Sequence, residues 1–119
     1  VLDKTMTEAD LQKLIIQAAQ LYGWRVSHFR PALTAKGWRT AVEGHAGFPD
    51  LVLARAGVVI VAELKTERGK LTAAQAVWRE ALGDCYRLWR PHDIGAILSE
   101  LRGRSVGLKA VSRGDRPSA

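Results

Sequence analysis

Residues 47–65, GFPDLVLARAGVVIVAELK, form an apolar ribbon with an acid near each end. Twelve residues separate Asp50 from Glu63, and Arg55 is the only charged one among them. The β-branched content and the Ala56-Gly57 break predict two strands, 50–55 and 58–64, joined by a tight turn. With a two-residue loop Arg55 faces Val58, and the antiparallel register then sets Asp50 directly opposite Glu63. Their Cβ atoms would lie about 4.5–5.5 Å apart. Lys65, two residues past Glu63, falls on the same face. A three-residue loop would send the two acids to opposite faces, and Ala-Gly is not a preferred pair for a two-residue turn. Chemistry decides between these registers. Two like charges facing each other on a covered sheet are costly unless something positive sits between them. A divalent cation meets that need, and hard carboxylate oxygens suit Mg2+ or Mn2+. The ribbon therefore predicts a metal held by Asp50 and Glu63 with Lys65 beside it; the plainer alternative is an acid pair engaged only in surface salt bridges.

A chain of 119 residues supports one hydrophobic core with no need of disulfides or structural metal. Cys85 is the one cysteine, so it forms no internal disulfide and fits a reducing cytoplasm. Zinc-type Cys/His spacing is absent. No run approaches the ~20 apolar residues of a membrane span, and the N-terminal residues lack the zones of a signal peptide. The net charge of +6 is concentrated near the C-terminus, where Arg102, Arg104, Lys109, Arg113 and Arg116 are set against Asp115. This pattern divides the chain into a folded domain, 1–103, and a basic tail, 104–119. Such a tail attracts phosphate backbones without reading sequence, or it simply aids solubility.

The first helix begins at Thr7, whose hydroxyl can cap it and whose partner three residues on is Asp10. Leu11, Leu14, Ile15, Ala18, Ala19 and Tyr22 follow at helical spacing, and Gly23 ends the run. Glu8 shares their inward face; a first-turn acid favoured by the helix dipole explains it equally well. Residues 24–30, WRVSHFR, read as a strand. Residues 31–46 read as a loop, and its Lys36, Trp38, Arg39 and His45 make a candidate set for phosphates and an unstacked base. The alternative packs Trp38 on the core and leaves the cations solvated. After Lys65, a polar loop carries Glu67, Arg68, Gly69 and Lys70, with Arg68 and Lys70 as further candidate DNA contacts. Thr72 and Gln75 form a T-x-x-Q capping box that opens a second helix, with Val77, Trp78, Ala81 and Leu82 inward. Residues 85–89 read as a strand. Ile94, Ile97, Leu98 and Leu101 read as a short helix opened by His92 or Asp93, and residues 105–111 as a weak last strand.

The order helix, strand, hairpin, helix, strand, with Pro49-Asp50 followed by Glu63-Leu64-Lys65, resembles the core of the PD-(D/E)XK nucleases. GFPDLVL and ELK…KLTAAQAVWREALG are similar to the corresponding stretches of the VRR-Nuc (virus-type replication-repair nuclease) family, from about Thr7 to Leu101. Thr72 stands where that family more often has Ser, and TERGK replaces its common Gly-Pro-containing loop. The resemblance implies an α/β restriction-endonuclease-like fold, a central mixed sheet flanked by helices, of the stand-alone phage or bacterial type. It implies that Asp50 and Glu63 bind Mg2+ or Mn2+ with the Leu64 carbonyl as a further ligand, and that Lys65 orients or activates the attacking water. Glu8 would bind a second metal or a metal-bound water, and Gln75 would stand close to the site. The implied activity is endonucleolytic hydrolysis of DNA in replication or repair. The expected substrate is branched, Holliday junctions in particular, and the expected partner a second copy in a homodimer. The rival readings are a non-catalytic DNA-binding or assembly module on the same fold and an end-processing exonuclease.

Overall fold

A computed structural model describes residues 6–29, 32–39 and 43–103, with residues 32–34, 38 and 39 described by their backbone alone. The expected last strand at 105–111 and the basic tail lie outside the described residues. In chain order the elements are α1 (Glu8–Leu21), β1 (Arg25–His28), β2 (Ala32–Thr34), β3 (Gly37–Arg39), β4 (Leu51–Arg55), β5 (Val58–Leu64), α2 (Ala73–Leu82), β6 (Tyr86–Trp89) and α3 (Ile94–Arg102). Short 3-10 turns precede β6 and α3.

β1, β4, β5 and β6 form one mixed sheet in that spatial order. The first three strands are antiparallel to their neighbours, and β6 runs parallel to β5. The result is a mixed α/β fold of a four-stranded sheet and three helices. Connecting parallel β5 and β6 requires a crossover, and α2 provides it. The β4–β5 hairpin turns on Ala56 (φ 49°) and Gly57 (φ 84°), two left-handed residues that match the right-handed twist of the flanking strands. Glycine takes this conformation freely; alanine does so at a cost of about 1 kcal/mol. The register is the expected one, with Arg55 facing Val58 and Leu51 facing Ala62.

That register gives the two faces of the sheet different tasks. Leu51, Leu53, Ile60, Ala62, Leu64 and Trp89 point to one face, where α1 supplies Leu11, Ile15 and Ala19 and α3 supplies Ile94, Ile97 and Leu101. These residues are the core, and burying each large aliphatic side chain stabilises the fold by about 1.5–3 kcal/mol. Arg55, the sole charge between the two acids, ties this layer together. It donates to the carbonyls of Tyr22 (2.8 Å) and Leu101 (3.0 Å), which end α1 and α3. Its guanidinium also lies 4.5 Å over the Trp24 ring. Carbonyls at helix C-termini are short of donors and carry the negative end of the helix dipole, so a cation there is favourable.

The opposite face carries Val52, Val61, Glu63, Tyr86 and Leu88, and α2 lies on that side. Here two expectations need correction. Val77 and Ala81, expected inward, are exposed, and no residue of α2 is fully buried. The helix is docked instead by hydrogen bonds and by close backbone approach near its N-terminus. The segment expected to be a structureless loop also holds a small second sheet, β2 paired with β3, in which Thr34 faces Gly37. Its tight turn at Ala35-Lys36 needs only three residues on either side, too few to show a period.

Candidate active site

Both capping boxes form as expected. Thr7 Oγ1 accepts from the Asp10 N–H while Asp10 accepts from the Thr7 N–H, and the pair fixes the start of α1. Thr72 Oγ1 accepts from the Gln75 N–H at 3.1 Å, and Gln75 Oε1 accepts from the Thr72 N–H at 2.9 Å. The other end of the same Gln75 amide is directed into the sheet. Its Nε2 donates to Glu63 Oε2 at 3.1 Å. The cap therefore locks the amide orientation, and the amide holds the carboxyl.

Glu63 is only 3% exposed and is the one buried charged residue among those described. Asp50 follows directly from the β4–β5 register as its cross-strand neighbour. Asp50 Oδ2 accepts from the Leu64 N–H at 2.8 Å, which orients the aspartate along the edge of the ribbon. The two acids converge closely enough to share a hydrogen bond. Burial, then the Asp50 charge, then that hydrogen bond push the Glu63 pKa up to about 8; Lys65 pulls it down and Glu8 adds to the rise. Lys65 Nζ lies 3.8 Å from Glu63 Oε2 with its side chain 13% exposed. That separation is too long for a strong charge-assisted hydrogen bond, so the lysine is placed beside the pair without being locked onto it.

Glu8 lies at the rim, in the first turn of α1. The residue is exposed, yet its carboxyl is turned toward the pair. Partial burial and then Asp50 raise its pKa, and Lys65 opposes them. Glu8, Asp50, Glu63, Lys65 and Gln75 thus meet in one place from four elements or their edges. Among the described residues, no group of three or more His, Cys, Asp or Glu side chains forms a complete metal cage.

The turn ahead of Asp50 is fixed by α2. Gly47 has φ 94°, and a Cβ built on it would stand 2.8 Å from Ala74, so only glycine lets the turn sit this close to the helix. The Trp78 indole N–H donates to the Ala46 carbonyl at 3.0 Å. The Phe48 ring packs edge-on against Trp78 at 4.9 Å and against Phe29 at 5.6 Å. Gly47→Ala is expected to lower stability by about 1–3 kcal/mol through backbone strain alone, with further loss from the clash. It should also displace Asp50, which a change in the Leu64 amide resonance would report.

The remaining candidates lie on the small second sheet and on two loops. Lys36 lies at the β2–β3 turn, and Trp38 and Arg39 lie on β3, their side chains outside the described residues. His45, Arg68 and Lys70 are exposed on two different loops. Sequence reasoning passed over two residues, one beside Glu63 and one beside the loop that follows Lys65. Tyr86, on the same sheet face as Glu63, has a buried hydroxyl with no hydrogen-bond partner, and its pKa is raised by that burial and then by the Glu63 charge. Arg90 closes the loop that follows Lys65. Neither carries a motif signal; only strand pairing brings them in.

Matched against protein-family models and against curated proteins, the chain gives no match to either.

Proposed function

We propose that this chain is a divalent-metal-dependent deoxyribonuclease of the PD-(D/E)XK type, related to the VRR-Nuc nucleases, that hydrolyses phosphodiester bonds in branched DNA such as Holliday junctions. The observation that carries the reading is Glu63, buried at 3% exposure opposite a second acid, with an amide and an ammonium directed at the same carboxyl. A structural role does not explain that arrangement. Burying a carboxyl against another acid is costly, and a neutral amide at position 63 would keep the hydrogen bond to Gln75 without that cost. The cost makes sense where a cation takes the place of the shared proton.

The donor set fits Mg2+ or Mn2+, which take carboxylate oxygens, backbone carbonyls and water, and commonly use only one or two protein carboxylates. The Leu64 carbonyl is the expected backbone ligand. When bound, such an ion would polarise a phosphate oxygen and lower the pKa of water at the scissile bond. The protein's own groups have separate tasks. Asp50, held by the Leu64 N–H, and Glu63, held by Gln75, present oxygens in fixed directions. Lys65 offers positive charge to the phosphate as negative charge grows in the transition state. Glu8 at the rim can hold a water or a second ion. Lys36, Trp38, Arg39, His45, Arg68 and Lys70, with the basic tail, are the proposed contacts to DNA.

A two-fold homodimer presents two such sites of opposite polarity, which suits a four-way junction. The deciding experiment incubates the protein with four-way junctions, flaps, linear duplex and closed circular DNA, with and without Mn2+ or Mg2+. Cation-dependent cuts that favour junctions are expected. No cleavage of any substrate would leave the non-catalytic DNA-binding module, and cutting from ends alone would leave the exonuclease.

A further inference from the structure

The loop after Lys65 is held from the neighbouring strand, β6. Arg90 follows β6, and its Nη1 donates to the carbonyls of Thr66 (2.7 Å) and Gly69 (2.7 Å), with a longer contact to Glu67 (3.3 Å). Within the loop, the Gly69 N–H donates to Thr66 Oγ1 at 3.1 Å. The loop in turn lies against the lysine. A Cβ on Gly69 would stand 3.3 Å from Lys65 Cδ and 3.2 Å from Thr66 Oγ1, so Gly69 is in packing contact with the lysine stem. The Lys65 N–H donates to the Trp89 carbonyl at 3.1 Å, one residue before Arg90. Lys65 is therefore held at its backbone by Trp89 and along its methylenes by a loop that Arg90 closes.

We infer that Arg90 is a positioning residue that sets where the Lys65 ammonium stands relative to Glu63. A lysine on four rotatable carbons is a poor fixed point charge, and without a wall against its stem the ammonium samples many positions. The Arg90 contacts to the loop carbonyls all come from the one Nη1 nitrogen, so a lysine at position 90 could replace part of them where its ammonium reaches the same point. The loop has a second tie, His92 Nδ1 to Glu67 Oε1 at 2.6 Å. Loss of Arg90 thus loosens the loop without releasing it. The inference rests on the nuclease reading for its effect on rate, though not for its effect on the lysine.

Three variants test it: Arg90→Gln, Arg90→Lys and Gly69→Ala, the last pressing on the lysine stem without touching Arg90. Each should fold, as judged by circular dichroism. Arg90→Gln and Gly69→Ala should lower kcat for DNA cleavage by about 10–100-fold while KM changes less than about threefold, and Arg90→Lys should recover part of the loss. The discriminating measurement is Arg90→Gln in a Lys65→Ala background, under single turnover. No further loss is expected there, because the residue through which Arg90 acts is gone. An undiminished penalty in that background, or wild-type kcat in Arg90→Gln, overturns the inference. If the wild-type protein cleaves nothing, the nuclease reading fails by itself. The Lys65 side-chain NMR resonance then decides: a shift in Arg90→Gln and Gly69→Ala, with Lys13 on α1 unmoved, upholds positioning, and an unchanged Lys65 resonance refutes it.

Discussion

Lys65→Ala should leave a folded protein whose cleavage of DNA in saturating Mg2+ falls about 10²–10³-fold, the loss typical of removing one preorganised stabiliser of transition-state charge. Asp50→Asn should fall further, to the uncatalysed background, because the proposed metal site loses one of its two charged ligands. Both substitutions spare the fold for reasons visible in the structure. Asparagine keeps the side-chain oxygen that accepts from the Leu64 N–H at 2.8 Å, so the strand edge stays closed. Lys65 contributes nothing to the core cluster formed by α1, α3 and the other sheet face. Its ion pair with Glu63 is long, at 3.8 Å, and its removal costs little cohesion. Single-turnover rates on a junction substrate, with thermal melts as the control for folding, make the comparison. Wild-type rates in either variant would end the catalytic assignment.

The part of this arrangement that sequence made legible was the part governed by short-range geometry. A two-residue break at Ala56-Gly57 sets the register of the whole hairpin, and the register places Asp50 against Glu63; charge chemistry chose that register over the alternative before any coordinates did. Both capping boxes follow from residue types three positions apart; that Gln75 also stands close to the acids was implied by the family resemblance alone. The stripe of α1 was legible because Leu11, Ile15 and Ala19 enter a core that admits only apolar residues. α2 misled for a physical reason. Its alanines and Val77 recur at helical spacing just as a buried face would, and periodicity cannot distinguish a buried face from an unpartnered one. What docks that helix is a glycine with no Cβ, an indole N–H and an amide, contacts with no periodic signature. Arg90 and Tyr86 were missed because the parallel β5–β6 pairing, reached through a crossover of some twenty residues, alone determines what stands beside Glu63 and Lys65.

In the absence of divalent ions, the protein should become less stable as pH rises from about 4.5 toward about 8, and Glu63→Gln should remove most of that slope. The sign follows from the direction of the shift. Glu63 in the folded chain holds its proton up to about 8, against 4.5 when unfolded, so between these values the native state binds a proton that the unfolded state has released. Stability then falls with pH across the window. Its contribution is complete below the unfolded value and gone above the folded one. Its size is on the order of a few kcal/mol, and each kcal/mol moves the Tm of a domain of this length by roughly 4 °C. Glutamine keeps the oxygen that accepts from the Gln75 amide and carries no charge to bury, so the variant should melt above wild type at pH 8 in EDTA. Other carboxylates contribute equally to both proteins, which makes the difference between the two melting curves the quantity to read. Adding Mg2+ should act in the opposite sense. An ion competes with the shared proton, binds better as pH rises toward 8 and restores stability there. Glutamine at this position supplies only a neutral oxygen, so the rescue by Mg2+ should be largely lost in the variant. Parallel pH profiles for the two proteins in EDTA, or equal rescue of both by Mg2+, would show that the buried acid is not held for a cation.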